Sequence, residues 1–396
     1  GPDTSRSVRE WWAAHPLNPE NPDAVPIGGI VSPRPIVDAR QQYDGDVQAA
    51  IDDLPPEGGT VYLAPGTYGP FSIVGRSNVH VVSNGGAVVH GYVRVYGCQL
   101  ATDYRAFAPA VAARGADALH CATSGRARNI YFRNLIFDGG NTLAAAGTLG
   151  AVDGVVFDNV VFRNYGGDES GAMDEWLVDH GGLINGAEML DNVWFRGVHF
   201  GGGTPWVLYL DGCHGCGVVH SRVDQGFRSG AFLFMTNDDF TNDVDGDGVW
   251  EPDELRQTSY LVLAHNVVGT PGDTTTLPLV AAVTGRDVLV ARNVVQGPVD
   301  RFVLFNGKCS ARWTNVRYRY ERLHVIGNQV ASATTLVHLD GTPYNCNGRS
   351  MPVGQYEVLE NSVADGGRLQ RLVRETGSVV GPNVVAENEV AGHPAP

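Results

Sequence analysis

Short apolar strands followed by polar turn residues recur along most of the chain. One series joins an apolar strand, an Asn and a second short strand, as in VVFDNVVF (155–162) and VLVARNVV (288–295). The later asparagines of this series stand about 27 to 35 residues apart, a length typical of one solenoid coil with variable loops. They are Asn266, Asn293, Asn328, Asn361 and Asn388. We expect them at sharp corners, where Asn tolerates a left-handed backbone and its amide can bond the next rung.

A second series of apolar strands alternates with the first and ends in polar or charged residues. Its members are EWLVDHG (175–181), WVLYLDG (206–212), AFLFMTND (231–238), LVAAVTGR (279–286), RFVLFNGK (301–308) and TLVHLDG (335–341). Stacked as rungs ~4.8 Å apart, they would form one parallel sheet. Because side chains alternate across a strand, Tyr209, Phe234 and His338 are predicted to form a column on one face of that sheet.

An amphipathic helix is predicted ahead of the repeats. Asp46, a favoured N-cap residue, is followed by apolar side chains at helical spacing, namely Val47, Ala50, Ile51 and Leu54. Such a helix would cover the open hydrophobic end of a solenoid. The Pro-rich residues before it are expected to lie on the body as an irregular arm. The predicted organisation is therefore an arm over residues 1–45 and a solenoid over residues 46–396.

The stretch that contains this helix, DVQAAIDDLPPEGGTVYLAPGTY (46–68), resembles the N-terminal cap and first coil of pectate-lyase-like β-helix proteins. That superfamily includes polysaccharide lyases, glycoside hydrolases and phage tailspikes. The resemblance covers about 25 residues and implies an all-β fold, a single-stranded right-handed parallel β-helix with an N-terminal capping helix. It also implies that a polysaccharide or oligosaccharide substrate lies across the outside of one sheet.

Charge and composition narrow the class of partner. The formal net charge of −15 argues against a nucleic-acid partner, which would need a basic surface. No apolar run reaches the length of about 18 residues that a membrane span requires. The six cysteines are compatible with an oxidising compartment, so we expect a secreted, periplasmic or cell-surface protein. The pairing we favour is Cys98–Cys121, Cys213–Cys216 and Cys309–Cys346.

The strand ends of the second series carry the residues best suited to catalysis. Glycoside hydrolysis needs two carboxylates, one to protonate the leaving oxygen and one to attack or to activate water. The candidate catalytic residues are Asp211, Asp238, Asp239, Asp179 and His180. The candidate substrate-binding residues are Tyr209, Phe234, His214, Arg286, Lys308, His338, Asp340 and Tyr344. Carboxylates on adjacent rungs, about 5 Å apart, suit retention, whereas a separation of roughly 9.6 Å over two rungs suits inversion.

Two alternatives to hydrolysis stay open at this point. β-Elimination from a uronate needs a base and a group that neutralises the carboxylate, and Arg286 and Lys308 are expected on consecutive rungs of one edge. A glycan-binding solenoid without catalysis is the other alternative. The Asn-Thr-Asp, Gly-His-Gly and Arg-Ile-Lys signatures of polygalacturonase-type hydrolases are absent, so their residue roles are not carried over. The histidines within strands are expected to be packing residues: His199, His220, His265 and His324.

The most specific motif is an acidic loop, DVDGDGVWEPDE (243–254), which matches the 12-residue EF-hand calcium loop. It resembles the Ca²⁺ loops of dockerins and calmodulin-type proteins, with Gly248 at the sharp turn. The predicted ligands are Asp243, Asp245, Asp247, the Val249 carbonyl, Glu251 and Glu254. Helices do not flank this loop in the sequence pattern. We therefore expect an isolated structural Ca²⁺ site inserted between two rungs.

Overall fold

A computed structural model describes residues 5–97, 126–169, 182–186, 190–201, 206–224, 231–236, 257–269, 279–307, 320–342 and 352–395. Parallel strands stack along the molecule, and each coil passes through three faces, which we call sheets B, C and A in chain order. The fold is a single-stranded right-handed parallel β-helix, as predicted. Right-handed crossovers are the rule for parallel strands in one sheet.

The strands of the three sheets have the following bounds. Sheet A contains Phe71–Val74, Val93–Tyr96, Gly147–Gly150, Gly182–Gly186, Trp206–Asp211, Ala231–Thr236, Leu279–Val283, the second halves of Val294–Asn306 and Gln329–Gly341, and Arg371–Gly377. Sheet B contains Ile36–Asp38, Gly59–Leu63, the first halves of Val79–His90 and Ala127–Asp138, then Val152–Asp158, Leu190–Arg196, His214–Val219, Ser259–Ala264, Arg286–Ala291, Leu323–Ile326, Glu357–Leu359 and Val384–Ala386.

Sheet C contains the short strands that follow sheet B in each coil. They are Gly66–Tyr68, the second halves of Val79–His90 and Ala127–Asp138, Val161–Arg163, His199–Phe200, Arg222–Val223, Val267–Val268, the first halves of Val294–Asn306 and Gln329–Gly341, Ser362–Asp365 and Glu389–Val390. His393–Pro394 pairs antiparallel with the last of them. A small separate sheet of Tyr320–Glu321, Val353–Gly354 and Val379–Val380 lies between sheets A and B.

The core is a continuous column of inward-facing apolar side chains. Alternation along each strand points these residues inward, and the parallel register places like residues above one another. Phe132, Phe157 and Phe195 occupy one register position, and their rings stack with centroids 4.7 and 4.9 Å apart. Identical side chains at rung spacing therefore stack on one another through the interior.

The N-terminal end is closed as the helical spacing predicted. Helix α3, Val47–Asp52, buries Val47, Ala50 and Ile51 against the first coil, and the Asp46 carboxylate accepts a hydrogen bond from the Ala49 amide. The region before it is less irregular than expected. It contains α1 (Val8–Ala13), a strand at Ile36–Asp38 that pairs with Gly59–Leu63, and α2 (Ala39–Tyr43). The stacking of strands thus begins ahead of residue 46.

The arm lies on the outside of sheet B and covers it. Trp12 of α1 stacks on Trp194 with ring centroids 5.1 Å apart, and Val8 and Trp12 are buried in an apolar cluster with Tyr260 and Leu289. The Tyr260 hydroxyl also donates to the Arg6 carbonyl at 2.6 Å. This packing covers the outer face of sheet B over the rungs from Trp194 to Ile326.

A ladder of buried asparagines runs along the corner between sheets B and C. Each side-chain Nδ2 donates to the Oδ1 of the next Asn at 2.9–3.0 Å, from Asn266 through Asn293, Asn328 and Asn361 to Asn388. The expected left-handed backbone is displaced by one residue. Positive φ belongs to the residue before each Asn, for example His265 (57°) and Glu360 (58°). The sharp turn is made just ahead of the Asn, which frees its amide to point inward.

Candidate functional site

Sheet A is the face from which the long connections depart. On the side that leads to sheet B they span residues 98–125, 237–256, 308–319 and 343–351, and on the side that comes from sheet C they include 170–181, 225–230 and 270–278. These stretches lie outside the described residues. Turns from sheet B to sheet C contain only a few residues. The candidate site is the outer side of sheet A, where the predicted residues Tyr209, Phe234 and His338 share one register position.

The predicted aromatic residues share one register position of sheet A. Tyr209 is in register with Phe234 on the next rung, and the same column continues to His338 and Arg374. Tyr209 is half-buried between the core residues Leu208 and Leu210, so its ring faces outward. The column is not continuous, because Ala282 and Leu304 separate Phe234 from His338.

His338 is enclosed rather than open. Only 6 % of the residue is exposed, its Nε2 lies 2.9 Å from the Thr376 hydroxyl, and its Nδ1 lies 3.4 Å from an Arg301 nitrogen. Burial lowers the pKa of His338, with the positive charges of Arg374 and Arg301 acting in the same direction. An imidazole enclosed in this way offers little surface to a sugar.

The polar residues at the ends of these strands are spread along the sheet. Asp211 is in register with Thr236, and Asn306, Asp340 and Thr376 continue the same register position three, four and five rungs after Asp211. At rung spacing, Asp211 and Asp340 are separated by roughly 19 Å. These two aspartates therefore cannot act on the same bond, and the residue in register with Asp211 on the next rung is Thr236.

Asp340 is held in its ionised form by its neighbours. Its Oδ1 accepts hydrogen bonds from the Thr342 amide at 3.0 Å and the Thr376 hydroxyl at 2.8 Å. Burial alone would raise the pKa of Asp340, but these hydrogen bonds and the nearby His338 outweigh it, and the pKa is lowered. Asp340 is consequently a fixed negative charge that terminates the strand.

A second polar group lies at the corner where sheet A turns into sheet B. His214 begins the strand His214–Val219 and is in register with Asp191 on the previous rung. The Asp191 Oδ1 lies 3.6 Å from His214 Nδ1, and its other oxygen forms an ion pair with Arg126. The Asp191 side chain is 10 % exposed, whereas that of His214 is 29 % exposed. The corner thus combines a partly accessible imidazole with an anchored carboxylate.

The chain passes directly from the end of sheet A to this corner. Only Gly212 and Cys213 separate Asp211 from His214, so the end of sheet A and the start of sheet B are adjacent in the chain. The cysteine that follows His214 in the CHGC motif, Cys216, lies beside Cys213 with sulfurs at bonding distance and Cα atoms 6.1 Å apart. The tight loop around His214 is therefore pinned. The other two predicted cysteine pairs lie outside the described residues.

Arg286 and His214 occupy different places from those predicted. The strand Leu279–Val283 ends before Thr284 and Gly285, and Arg286 begins the next sheet B strand in register with Ser259. His214 is likewise a strand residue and not a turn residue. Because Gly285 already makes the turn, Arg286 lies across the corner, in the same column as Asp191 and His214.

One predicted rung is shifted. The sheet A strand of that coil is Gly182–Gly186, in register with Trp206–Leu210, and not residues 175–181. The sheet B strand begins at Leu190, and the short corner requires the preceding strand to end close to it. Asp179 and His180 lie outside the described residues, and they precede this strand where the prediction had them follow it. Their position no longer matches that of Asp211.

The remaining predicted residues lie outside the described part of the chain. They are Asp238, Asp239, Lys308, Tyr344 and the calcium ligands Asp243, Asp245, Asp247, Val249, Glu251 and Glu254. Within the described residues, no group of three His, Cys, Asp or Glu side chains is arranged to hold a metal ion.

Sequence reasoning missed Asp191 and Arg126, which bring charge to the corner. Aligning the repeat VDGVVF (152–157) with LDNVWF (190–195) would have revealed the equivalence, since Asp153 and Asp191 share one register position. The expectation that the strand histidines are packing residues was also wrong for His199, whose side chain is 42 % exposed and contacts Asp224, and for His220, which is exposed. His220 and His265 are moreover not strand residues, because each directly follows a sheet B strand at a positive φ.

Comparison with known proteins supports the fold. No protein-family model matches the chain, and no curated protein does so. A solved structure titled Geobacillus virus E2 ORF18 is similar with a TM-score of 0.54 and 13% identity, over 90% of this chain and 62% of that one. The chain thus spans less than two thirds of that viral protein.

Two further solved structures are similar at lower scores. They are the A-module of the mannuronan C-5 epimerase AlgE4 of Azotobacter vinelandii (TM-score 0.42, 15% identity, 90% of this chain and 94% of that one) and the tailspike protein of E. coli bacteriophage HK620 in complex with a pentasaccharide (0.41, 14%, 92% and 54%). Among the described residues, no helix has the length and apolar character needed to cross a membrane.

Proposed function

We propose that this protein cleaves glycosidic bonds of a polysaccharide or oligosaccharide that lies across the outer face of sheet A. The observation that carries the proposal is the alignment of Tyr209 with Phe234 on consecutive rungs, next to an edge that bears Asp211. Aromatic rings at rung spacing match the apolar faces of successive sugar rings. Sheet B is covered by the arm, which supports sheet A as the binding face.

Hydrolysis is the first candidate chemistry. Asp211 would act with Asp238 or Asp239, which follow the neighbouring strand Ala231–Thr236 by two and three residues. One carboxyl group would protonate the leaving oxygen, and the other would attack the sugar or activate water. Like charges held close together raise the pKa of one member, which supplies an acid beside a base.

Elimination is the second candidate, and the corner group favours it. Proton abstraction next to a uronate carboxylate needs a base and a positive charge. His214, oriented by Asp191, would be the base, and Arg126 or Arg286 would neutralise the carboxylate. Each of these residues stands at the start of sheet B, across the short turn from Asp211. The same binding face therefore serves either chemistry.

Product analysis distinguishes these mechanisms. The purified protein is incubated with neutral and uronate-containing polysaccharides, and both reducing ends and ultraviolet absorbance are followed. Hydrolysis yields reducing ends alone, whereas elimination also yields an unsaturated uronate. We expect Asp211→Asn to lower hydrolysis by about 10²-fold or more with an unchanged melting temperature. Asp365→Asn, on the far side of the molecule, is the matched control.

Other outcomes of this experiment reject parts of the proposal. Activity that survives Asp211→Asn but is lost in His214→Gln assigns the reaction to elimination. Binding of a polysaccharide without any new ends or absorbance identifies a glycan-binding solenoid. Normal cleavage by both variants places the reaction on another face.

We also propose that the loop 243–254 binds Ca²⁺ as a structural ion. Every ligand position of the EF-hand pattern is filled by a suitable oxygen donor. Because a bound ion stabilises the folded state by mass action, chelation is expected to lower the melting temperature, and added Ca²⁺ to restore it. The double variant Asp243→Ala, Glu254→Ala should lose that response. Retention of one Ca²⁺ at this loop by the double variant would contradict the assignment.

An extracytoplasmic location is proposed on the cysteines. The Cys213 and Cys216 sulfurs lie at bonding distance, which is compatible with a disulfide. Disulfides form and persist in oxidising compartments. Thiol titration of the unfolded protein tests the point, and six free thiols in freshly isolated native material would overturn it.

A further inference from the structure

A cavity of about 330 Å³ lies between the arm and the outer face of sheet B, remote from sheet A. Its floor is one register column of three successive rungs, formed by Ala264, Ala291 and Ile326. The hollow exists because two consecutive rungs carry alanine where the next carries isoleucine. This volume is at the lower end of the range of about 300–1,000 Å³ that small-molecule sites occupy.

The wall of the cavity is fixed by the arm. Trp12 stacks on Trp194, and Asn18 holds the following turn by donating to the Trp12 carbonyl at 3.0 Å and accepting from the Glu20 amide at 3.1 Å. Arg196 anchors the arm further along, donating to the Val25 carbonyl at 2.8 Å. The arm is therefore held at this distance from the sheet and cannot simply collapse into the hollow.

The rim of the cavity carries two arginines, Arg9 and Arg292, together with His265 and the carboxylate of Glu20. Arg292 bonds Glu20 at 2.8 Å, and Arg9 lies 3.5 Å from Glu357. Both guanidinium groups are more than half exposed. Each offers five N–H donors, more than these contacts use, in a geometry that suits a carboxylate.

From these features we infer that the cavity is a second ligand site. Its ligand would be a small molecule with one carboxylate and one apolar face. A uronic acid sugar is the molecule of this class that suits this protein. The sugar ring would lie on the aliphatic floor, and its carboxylate would reach Arg9 or Arg292. The choice of a sugar rests on the proposed function, whereas the requirement for a carboxylate rests on the rim alone. A site on this face would bind a product or a chain end away from the cleavage face.

Binding of galacturonate, with galactose as its neutral counterpart, tests the inference by isothermal titration calorimetry. We expect galacturonate to bind at least about tenfold more tightly than galactose, a difference of about 1.4 kcal/mol. Ala291→Phe fills the floor and should abolish binding. The double variant Arg9→Gln, Arg292→Gln should remove the preference for the acid. Arg222→Gln, which removes another exposed, carboxylate-paired arginine, should bind as the unaltered protein does.

Three results would overturn the inference: no binding of galacturonate, equal binding of galactose, or full binding by both cavity variants. The double variant Arg9→Gln, Arg292→Gln keeps the test decisive if Ala291→Phe fails to fold. Polysaccharide cleavage is measured on the same samples. Binding of galacturonate in this cavity without any cleavage would disprove the proposed function and leave the second site supported. Cleavage without galacturonate binding would support the proposed function and disprove the second site.

Discussion

At the scale of single residues, the asparagine ladder shows how a polar side chain can be a core residue. Asn328 is fully buried, and its amide makes every bond it can. Its Nδ2 donates to the Val290 carbonyl and to Asn361 Oδ1, while its Oδ1 accepts from the backbone and side chain of Asn293. Each Asn amide thus donates one hydrogen bond to a backbone carbonyl of the preceding coil and one to the Asn of the following coil. The ladder therefore couples neighbouring coils.

Replacing one rung of this ladder should destabilise the whole stack. Asn328→Leu leaves several buried donors and acceptors without partners, at about 1–3 kcal/mol each, so a loss of about 3 kcal/mol or more in the free energy of unfolding is expected. Asn159→Gly is the matched control, because Asn159 is exposed and its positive φ of 52° suits glycine. Guanidinium denaturation of both variants gives the comparison. A midpoint for Asn328→Leu equal to that of the control would show that the ladder is dispensable.

At the scale of elements, the arm is attached through a buried ion pair. Arg196 and Asp158 are both fully buried and form two hydrogen bonds, at 2.6 and 2.7 Å. Asp158 also accepts from the Gly28 amide at 3.1 Å and the Tyr131 hydroxyl at 2.8 Å. Arm backbone atoms therefore solvate charges that would otherwise be buried without enough partners. The ion pair therefore anchors the arm through hydrogen bonds to its backbone.

Removing the Asp158 carboxylate from this ion pair should release the arm. Asp158→Ala leaves the Arg196 guanidinium buried and uncompensated, which costs about 3–5 kcal/mol. The amides of residues 15–30 should then exchange with solvent faster, as hydrogen exchange would measure. Glu20→Ala removes a half-exposed carboxylate from the same arm and should cost no more than about 1 kcal/mol. Equal exchange in both variants would argue that the apolar contacts of α1 hold the arm alone.

The sequence predicted the presence of the helices and strands better than the register in which the strands of successive coils pair. Apolar alternation and the cap motif sufficed for the β-helix and for helix α3, because burial of one face leaves few alternatives. In the coil that precedes Trp206–Asp211, the described sheet A strand is Gly182–Gly186, later in the chain than the predicted segment 175–181, which lies outside the described residues. The prediction had no signal for this offset, because both stretches contain apolar residues and only the short distance to the next strand at Leu190 favours the later one. The Asp191–His214 contact depends on register between coils, which no single segment encodes.

At the scale of the whole molecule, histidines with lowered pKa values should make the fold sensitive to acid. Desolvation is the largest cause of the lowered pKa at six of them, of which His220 is exposed and should contribute least: His15, His80, His220, His265, His324 and His338. The pKa of His15, packed among Trp11, Trp12 and Trp194, falls from 6.5 to about 4. Such residues are spread from the arm to the last coils, so the effect is not confined to one end.

The sign of the dependence follows from linkage. A histidine whose pKa is lower in the folded state than in the unfolded chain stabilises the fold above pH 6.5, and that contribution is lost as the pH falls towards the folded value. The carboxylates of Asp138, Asp224 and Asp340 also have lowered pKa values, but their contribution persists down to about pH 4 and disappears only below it. Between about pH 6.5 and pH 4, the histidines therefore dominate.

Denaturant midpoints at pH 7.5 and pH 5 test this expectation. We predict that the free energy of unfolding falls by about 2 kcal/mol or more over that interval, since each unit of pKa difference corresponds to about 1.4 kcal/mol. His15→Phe keeps an aromatic ring among the three tryptophans and removes the titrating group, so its stability should vary less with pH. His90→Gln, at an exposed position, should leave the slope unchanged. His15 has the most strongly lowered pKa of the six histidines and should contribute the largest share of the pH dependence. If the stability of His15→Phe falls with pH as steeply as that of the unaltered protein, other groups cause the acid sensitivity.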